Sequence, residues 1–176
     1  MKSTGITRRI DDLGRIVIPK EIRKNLKIKE NEILEIFIDN EEIILKKFSS
    51  FNDMEKILFN YVETLNKITG NNIFITDRDK IISCLENKKF DYLNKQVGDT
   101  INYVIDSRTP ILSNDLNKLE LKENEVLNIN YYIYPIITNS DILGVIIMTS
   151  NNKIEEKDKI SLEIVSKLIS NYIEWD

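Results

Sequence analysis

The sequence has no histidine, a single cysteine (Cys84), five glycines and three prolines. Without histidine it lacks the side chain that most often serves as a general base near neutral pH or as a metal ligand. One cysteine cannot close an intrachain disulfide. No glycine-rich phosphate loop and no nucleophile elbow is present. These absences argue against an enzyme, and no resident metal or cofactor is expected. The shortage of Gly and Pro argues against a long disordered region. The longest apolar run, residues 142–148 with one glycine inside it, is far below the roughly 20 residues that span a bilayer. The start of the chain carries no apolar signal segment. The expectation is a cytoplasmic protein with no membrane contact.

What is present is charge, and it is unevenly placed. Residues 1–29 hold nine Lys/Arg against three Asp/Glu, a net +6, whereas the remaining 147 residues hold sixteen against twenty-six, a net −10. The overall −4 conceals this segregation. A basic end on an acidic chain implies an anionic partner held at one place. The 176 residues, 41% of them hydrophobic, suffice for one medium core or two small ones.

In the basic end, Ile6, Arg8 and Ile10 alternate against Thr7 and Arg9, which predicts a strand over 6–10 whose arginines leave in opposite directions. A turn at 11–14 leads to a second strand over 15–18. Pro19 ends that strand and opens about two helical turns over 19–26, with Arg23, Lys24 and Lys27 at the C-terminal end. Residues 33–38 and 42–48 predict a hairpin around Asp39 and Asn40. Four short strands and a stub of helix in fifty residues bury too little apolar surface to stand alone. An intertwined dimer sharing one core is therefore expected, and it doubles the basic field that DNA phosphates meet.

The run GITRRIDDLGRIVIPKEIRKNLKI closely resembles the N-terminal domain of the AbrB family of transition-state regulators, through DDLGR followed by IPKEIR. The resemblance implies a swapped-hairpin β-barrel dimer that binds double-stranded DNA as a sporulation-type transcriptional regulator, activator or repressor. The family's DNA-contacting arginines match Arg8, Arg15 and Arg23. The fourth position is Lys24 where the family often has Arg, which keeps the charge and loses a bidentate fork. Arg9 and Lys27 complete the candidate DNA-binding set. The plainer alternatives are that Arg15 pairs with Asp11 or Asp12 across the turn, and that Arg23, Lys24 and Lys27 form an ordinary solvated helix face. No element here is long enough to read a major groove by itself, so shape and phosphate contacts are expected to dominate.

Beyond a short linker at 51–55, residues 53–69 carry a helical stripe of Met54, Ile57, Leu58, Tyr61, Val62, Leu65 and Ile68, capped by Asn52 or Asp53 and stopped at Gly70. Strands are predicted over 72–76 and 80–85, short helices near 90–94 and 99–107, a long polar loop or lid over 112–128, and a hairpin over 129–138 and 142–150. A last helix over 155–175 has Ile160, Ile164, Leu168 and Ile173 among its apolar positions. This order resembles a GAF domain, in which an antiparallel sheet carries flanking helices and a small-molecule cavity. Residues 87–91, Asn-Lys-Lys-Phe-Asp, are similar to the NKFDE signature of cyclic-nucleotide GAF domains, but Asn94 and Lys95 stand where Asp-Glu is required, so that reading is rejected. Tyr92, Tyr103, Tyr131, Tyr132 and Tyr134 read as core packing before cavity lining. Cys84 reads as a small buried residue, and Glu120, Glu123 and Glu125 as a solvated charge run.

The chain thus reads as α+β: an AbrB-like DNA-binding domain at 1–50, the linker at 51–55, and a GAF-like sensory and oligomerisation domain at 56–176. The expected partners are double-stranded DNA, a second copy in a homodimer or homotetramer, and a small-molecule ligand of unknown identity. A different class of function is an antitoxin-like interaction module on the same N-terminal fold. The strong periodicity of both terminal helices in the second half speaks against the disordered tail such a module needs.

Overall fold

The computed structural model describes residues 4–28, 30, 32–85, 92–139 and 141–175. The chain divides into two units, Met1–Phe48 and Ser49–Asp176.

In the first unit the helix α1 (Lys20–Asn25) follows Pro19, whose fixed φ suits a helix start. The strands β1 (Leu34–Asp39) and β2 (Glu42–Lys47) pair antiparallel from Leu34↔Lys47 to Asp39↔Glu42. Asn40 takes the left-handed φ of +51° that the tight connection demands. Lys47 Nζ donates to the Lys27 carbonyl at 2.9 Å and pairs with Glu32 at 3.4 Å, tying the end of the helical segment to the hairpin.

Residues 6–10 and 15–18, expected as strands, carry no ladder in the single chain. A strand needs a neighbour, and β1 and β2 pair with each other alone. The same deficit appears in the packing, because no described residue between 4 and 48 is buried. Val17 is 74% exposed and Ile38 82% exposed, and Ile10, Leu13, Ile16, Leu26, Ile33, Ile36 and Ile43 are also open to solvent. One chain supplies this unit with apolar side chains but no core.

The second unit is complete by contrast. Its elements are α2 (Glu55–Thr69), β3 (Asn72–Thr76), β4 (Ile81–Cys84), α3 (Asp99–Ser107), β5 (Ile111–Ser113), β6 (Lys118–Lys122), β7 (Glu125–Asn128), β8 (Asn130–Thr138), β9 (Asp141–Ser150) and α4 (Glu156–Trp175). An antiparallel sheet runs β4-β3-β9-β8-β5, and β6 pairs with β7. Alternation along β3 and β9 sends Ile73, Ile75, Ile146 and Met148 to one core, with Leu58, Val62 and Leu65 of α2 and Leu162 and Ile169 of α4. It sends Phe74, Val145 and Ile147 to the other, against Ile101, Val104 and Ile105 of α3 and Leu119 and Leu121 of β6. Both faces are covered, which explains the unbroken apolar run at 142–148. Each fully buried aliphatic side chain here stabilises the fold by roughly 1.5–3 kcal/mol.

Five further expectations change. The loop or lid at 112–128 is the end of β5 followed by the β6–β7 hairpin, with Leu119 and Leu121 fully buried. The segment 51–55 does not lie apart as a linker, since Phe51 and Met54 are buried in the α2–α4 core. The residue capping α2 is Met54, with no side-chain cap bond, while Asp53 takes a φ of +64°. Glu120 and Glu125 are not a solvated run: Glu120 accepts the backbone N–H groups of Asp99 and Asn124, and Glu125 accepts Tyr92 Oη at 2.9 Å and pairs with Lys122 at 3.0 Å. The string 87–91 lies outside the described residues; of the short helix expected near 90–94, the described residues Tyr92, Leu93 and Asn94 form a turn, with Asn94 at a left-handed φ of +61°, which breaks a helix there. Gly70 ends α2 in the left-handed conformation, and Cys84 is buried.

Candidate nucleic-acid interface

The candidate DNA-binding side chains sit on three stretches of the first unit. Arg8 and Arg9 are exposed on the segment before the turn, and Arg8 donates through Nη1 to the Thr7 carbonyl at 2.8 Å. Arg8 also lines a concave surface with Thr7, Pro19 and Lys20. Lys20, first residue of α1, lies on this surface beside Arg8 and adds a cation that the motif does not single out.

Arg15 closes the turn. The Asp11 N–H donates to the Arg15 carbonyl at 3.2 Å and Gly14 N–H to the Asp11 carbonyl at 3.0 Å. Gly14 has a φ of +77° with open space where a Cβ would lie, so backbone freedom and not crowding requires glycine. The Asp11 carboxylate accepts the backbone N–H of Leu13 at 3.0 Å and of Arg15 at 2.8 Å, and the Arg15 Nε at 2.7 Å. The Arg15 backbone N–H, then its side chain, hold the Asp11 carboxyl below the usual carboxylate range. Pairing of Arg15 with Asp11, foreseen as the plainer alternative, is thus real, yet the Arg15 side chain remains 70% exposed.

On α1, Arg23 and Lys24 occupy the last turn, where cations meet the negative end of the helix dipole. Lys27 follows at a φ of +52°. Lys24 and Lys27 are exposed, whereas Arg23 is half-buried and its Nε is fully covered with no hydrogen-bond partner. A covered donor without an acceptor is costly. Arg23 is the one candidate that cannot be dismissed as a solvated face residue.

The second unit contains a cavity of about 270 Å³ whose lining includes Asn72, Phe74, Leu85, Tyr92, Leu127 and Thr149. Of the five tyrosines singled out, only Tyr92 lines it; Tyr131 and Tyr132 are core, Tyr134 is half-buried and Tyr103 is 64% exposed. Burial, with the neighbouring Glu125, pushes the Tyr92 phenol up. Among the described residues no group of His, Cys, Asp and Glu is placed to hold a metal.

Residues 53–174 match the family described as the stage V sporulation protein T C-terminal, transcription factor. Stage V sporulation protein T of Bacillus subtilis is 40% identical over 156 residues, which cover 87% of each chain. This chain belongs to the stage V sporulation protein T family. Its first unit is similar to the transition state regulatory protein AbrB of the same organism, 60% identical over 48 residues, 27% of this chain and 50% of that one. Residues 7–51 also match the family of MazE antitoxins. The second unit shares the fold of a GAF domain from a Coxiella burnetii phosphoenolpyruvate-protein phosphotransferase, at a TM-score of 0.54 and 16% identity over 70% of this chain and 83% of that one. In this member of the stage V sporulation protein T family, then, a GAF fold follows an AbrB-like unit, an α+β chain with antiparallel sheets and flanking helices. No helix among the described residues is long and apolar enough to cross a membrane.

Proposed function

We propose that this chain regulates transcription in the cytoplasm by binding double-stranded DNA through an intertwined dimer of residues 1–50, with Arg8, Arg9, Arg15, Arg23, Lys24 and Lys27 as the contacting groups. The observation that carries the reading is the coincidence, in one short unit, of a net +6 in residues 1–29 and an apolar surface that one copy leaves uncovered. A second copy covers the apolar side chains and lends neighbours to residues 6–10 and 15–18. It also brings two basic segments into one field, whose reach is about 8 Å at physiological salt.

Residues 56–176 act in this reading as the sensory and oligomerising part. Two observations support it: the cavity beside Tyr92, sized for a small ligand, and an apolar stripe on α4 that faces solvent. A ligand there alters DNA affinity only by binding two states of the protein unequally. The reading is tested by a salt titration of DNA binding with Arg15→Ala and Arg23→Ala. Each weakens binding and flattens the dependence of log affinity on log salt. Unchanged affinity in both overturns the site assignment.

A second reading, an interaction module that captures a toxin, is supported by the antitoxin match over residues 7–51. Against it stands the well-packed unit Ser49–Asp176, where an unstructured capturing tail is required. Limited proteolysis separates them: digestion that strips everything after residue 50 favours the antitoxin reading, and a resistant fragment near 50–175 favours the regulator.

A further inference from the structure

One carboxylate does two jobs in the turn before α1. Asp11 Oδ1 accepts the backbone N–H groups of Leu13 and Arg15, at 3.0 and 2.8 Å, and so fixes the turn. Asp11 Oδ2 accepts Arg15 Nε at 2.7 Å, and so fixes the side chain. The second bond depends on the first, because a carboxylate already held by two backbone donors has one orientation left. An isolated exposed ion pair stabilises little. This one matters for where it holds the guanidinium. Nε is one of five donors, and the 70% exposed side chain keeps its Nη hydrogens for another partner.

We propose that Asp11 is a specificity-setting residue of the DNA interface, which holds Arg15 by Nε as a pre-aimed Nη fork and sets a negative charge against phosphates reached from any other Arg15 pose. The proposal deepens the DNA-binding reading above and rests on it. Three properties follow from the geometry. The fork presents a fixed plane, suited to bidentate contact with a guanine edge or a phosphate. Less rotamer freedom remains to be lost on binding, since the Nε bond already favours one pose of the side chain. Random-sequence DNA, whose phosphates fall out of register with the fork, meets the carboxylate's repulsion without the compensating contact. Asp11 therefore lowers affinity for non-cognate DNA more than for cognate DNA. Asp12, one residue along, carries the same charge and has no such bond to Arg15, so charge count alone does not define the role.

The test uses the full chain and two duplexes of equal length, one selected from a random pool by the chain itself and one unselected. Asp11→Asn retains a carbonyl oxygen for the two backbone donors and replaces the Nε acceptor by an amide N–H₂. D11N is expected to tighten binding to the unselected duplex, steepen its salt dependence, and cut the selected-to-unselected affinity ratio about tenfold, the order of one good bidentate contact. In an Arg15→Ala background the same substitution is expected to leave the ratio unchanged, because Asp11 acts through Arg15. A ratio that D11N does not move, or moves equally without Arg15, overturns the proposal. So does a D11N chain that no longer melts cooperatively, which assigns the residue to the fold alone. If the unsubstituted chain selects no duplex, the DNA-binding reading itself fails and takes this one with it.

Discussion

Tyr132 on β8 donates its phenolic hydrogen to Glu163 Oε1 on α4 at 2.6 Å, and with Ser166 Oγ, which donates to the Pro135 carbonyl at 2.9 Å, this bond ties β8 to the closing helix. Tyr132 is otherwise core, only 6% exposed. Tyr132→Phe keeps the ring and removes the donor, leaving a half-buried carboxylate without it. The expected loss is about 1.5–3 kcal/mol, typical of a hydrogen bond to a charged group. Urea unfolding of the second unit checks it, and an unchanged midpoint refutes the assigned role.

The same phenol sets a pH limit. Burial, then the Glu163 carboxylate, pushes the Tyr132 ionisation up, as burial and Glu125 do for Tyr92. A folded-state value raised above the unfolded one means that the native state holds its protons more tightly, so the stabilisation is complete below the unfolded value near 10 and declines as pH rises beyond it. Melting temperature is expected to fall above about pH 10, and the doubly substituted Tyr92→Phe, Tyr132→Phe chain to fall less steeply. Equal slopes in the two chains refute it.

Gly144 on β9 lies against the backbone of β3, where an added Cβ would collide with the Thr76 carbonyl. Thr76 is fully buried and its Oγ1 accepts the Val145 N–H at 3.3 Å, so neither strand has room to move. Gly144→Ala is expected to cost about 1–3 kcal/mol, the usual range for overpacking. A chain that unfolds at the original urea midpoint contradicts this.

How much of this was legible follows from which signals are local. The α2 stripe, its Gly70 stop and the β8–β9 hairpin follow from periodicity and turn residues that need no tertiary information. The β6–β7 hairpin does not: its period-two signal rests on Leu119 and Leu121, set among Lys118, Glu120, Lys122 and Glu123, and only the α3 surface makes two leucines into a buried face. The charges that made the segment read as a loop are bonded to Asp99, Asn124 and Tyr92. In the DNA-binding unit, Arg8, Arg15 and Arg23 were visible from the motif, while the split use of the Asp11 oxygens required coordinates. Lys20 was hidden because its nearness to Arg8 depends on the course of the chain between them.

Apolar residues on α4 divide between two sides. Leu162 and Ile169 are buried, while Ile160, Ile164 and Leu168, which the sequence marks equally, are between 46 and 56% exposed, and Tyr172 continues their row. If this row meets a second copy, Ile164→Lys lowers the assembly mass by light scattering without shifting the unfolding midpoint of the second unit, since the side chain contributes nothing to its core. An unchanged mass places self-association elsewhere.

The first unit gives the sharpest test of oligomerisation, because none of its described residues is buried and able to lend it stability. A lone copy exposes Val17, Ile36, Ile38 and Ile43 together, and fifty residues without a disulfide or metal seldom supply enough burial. Folding of a 1–50 peptide must then be paid for by association, and its apparent stability must depend on protomer concentration. For a dimer, each tenfold dilution is expected to lower that stability by about 1.4 kcal/mol. Circular dichroism melts across a hundredfold range of concentration measure this directly. Coincident melts would mean that the unit folds alone, and the intertwined dimer would have to be abandoned.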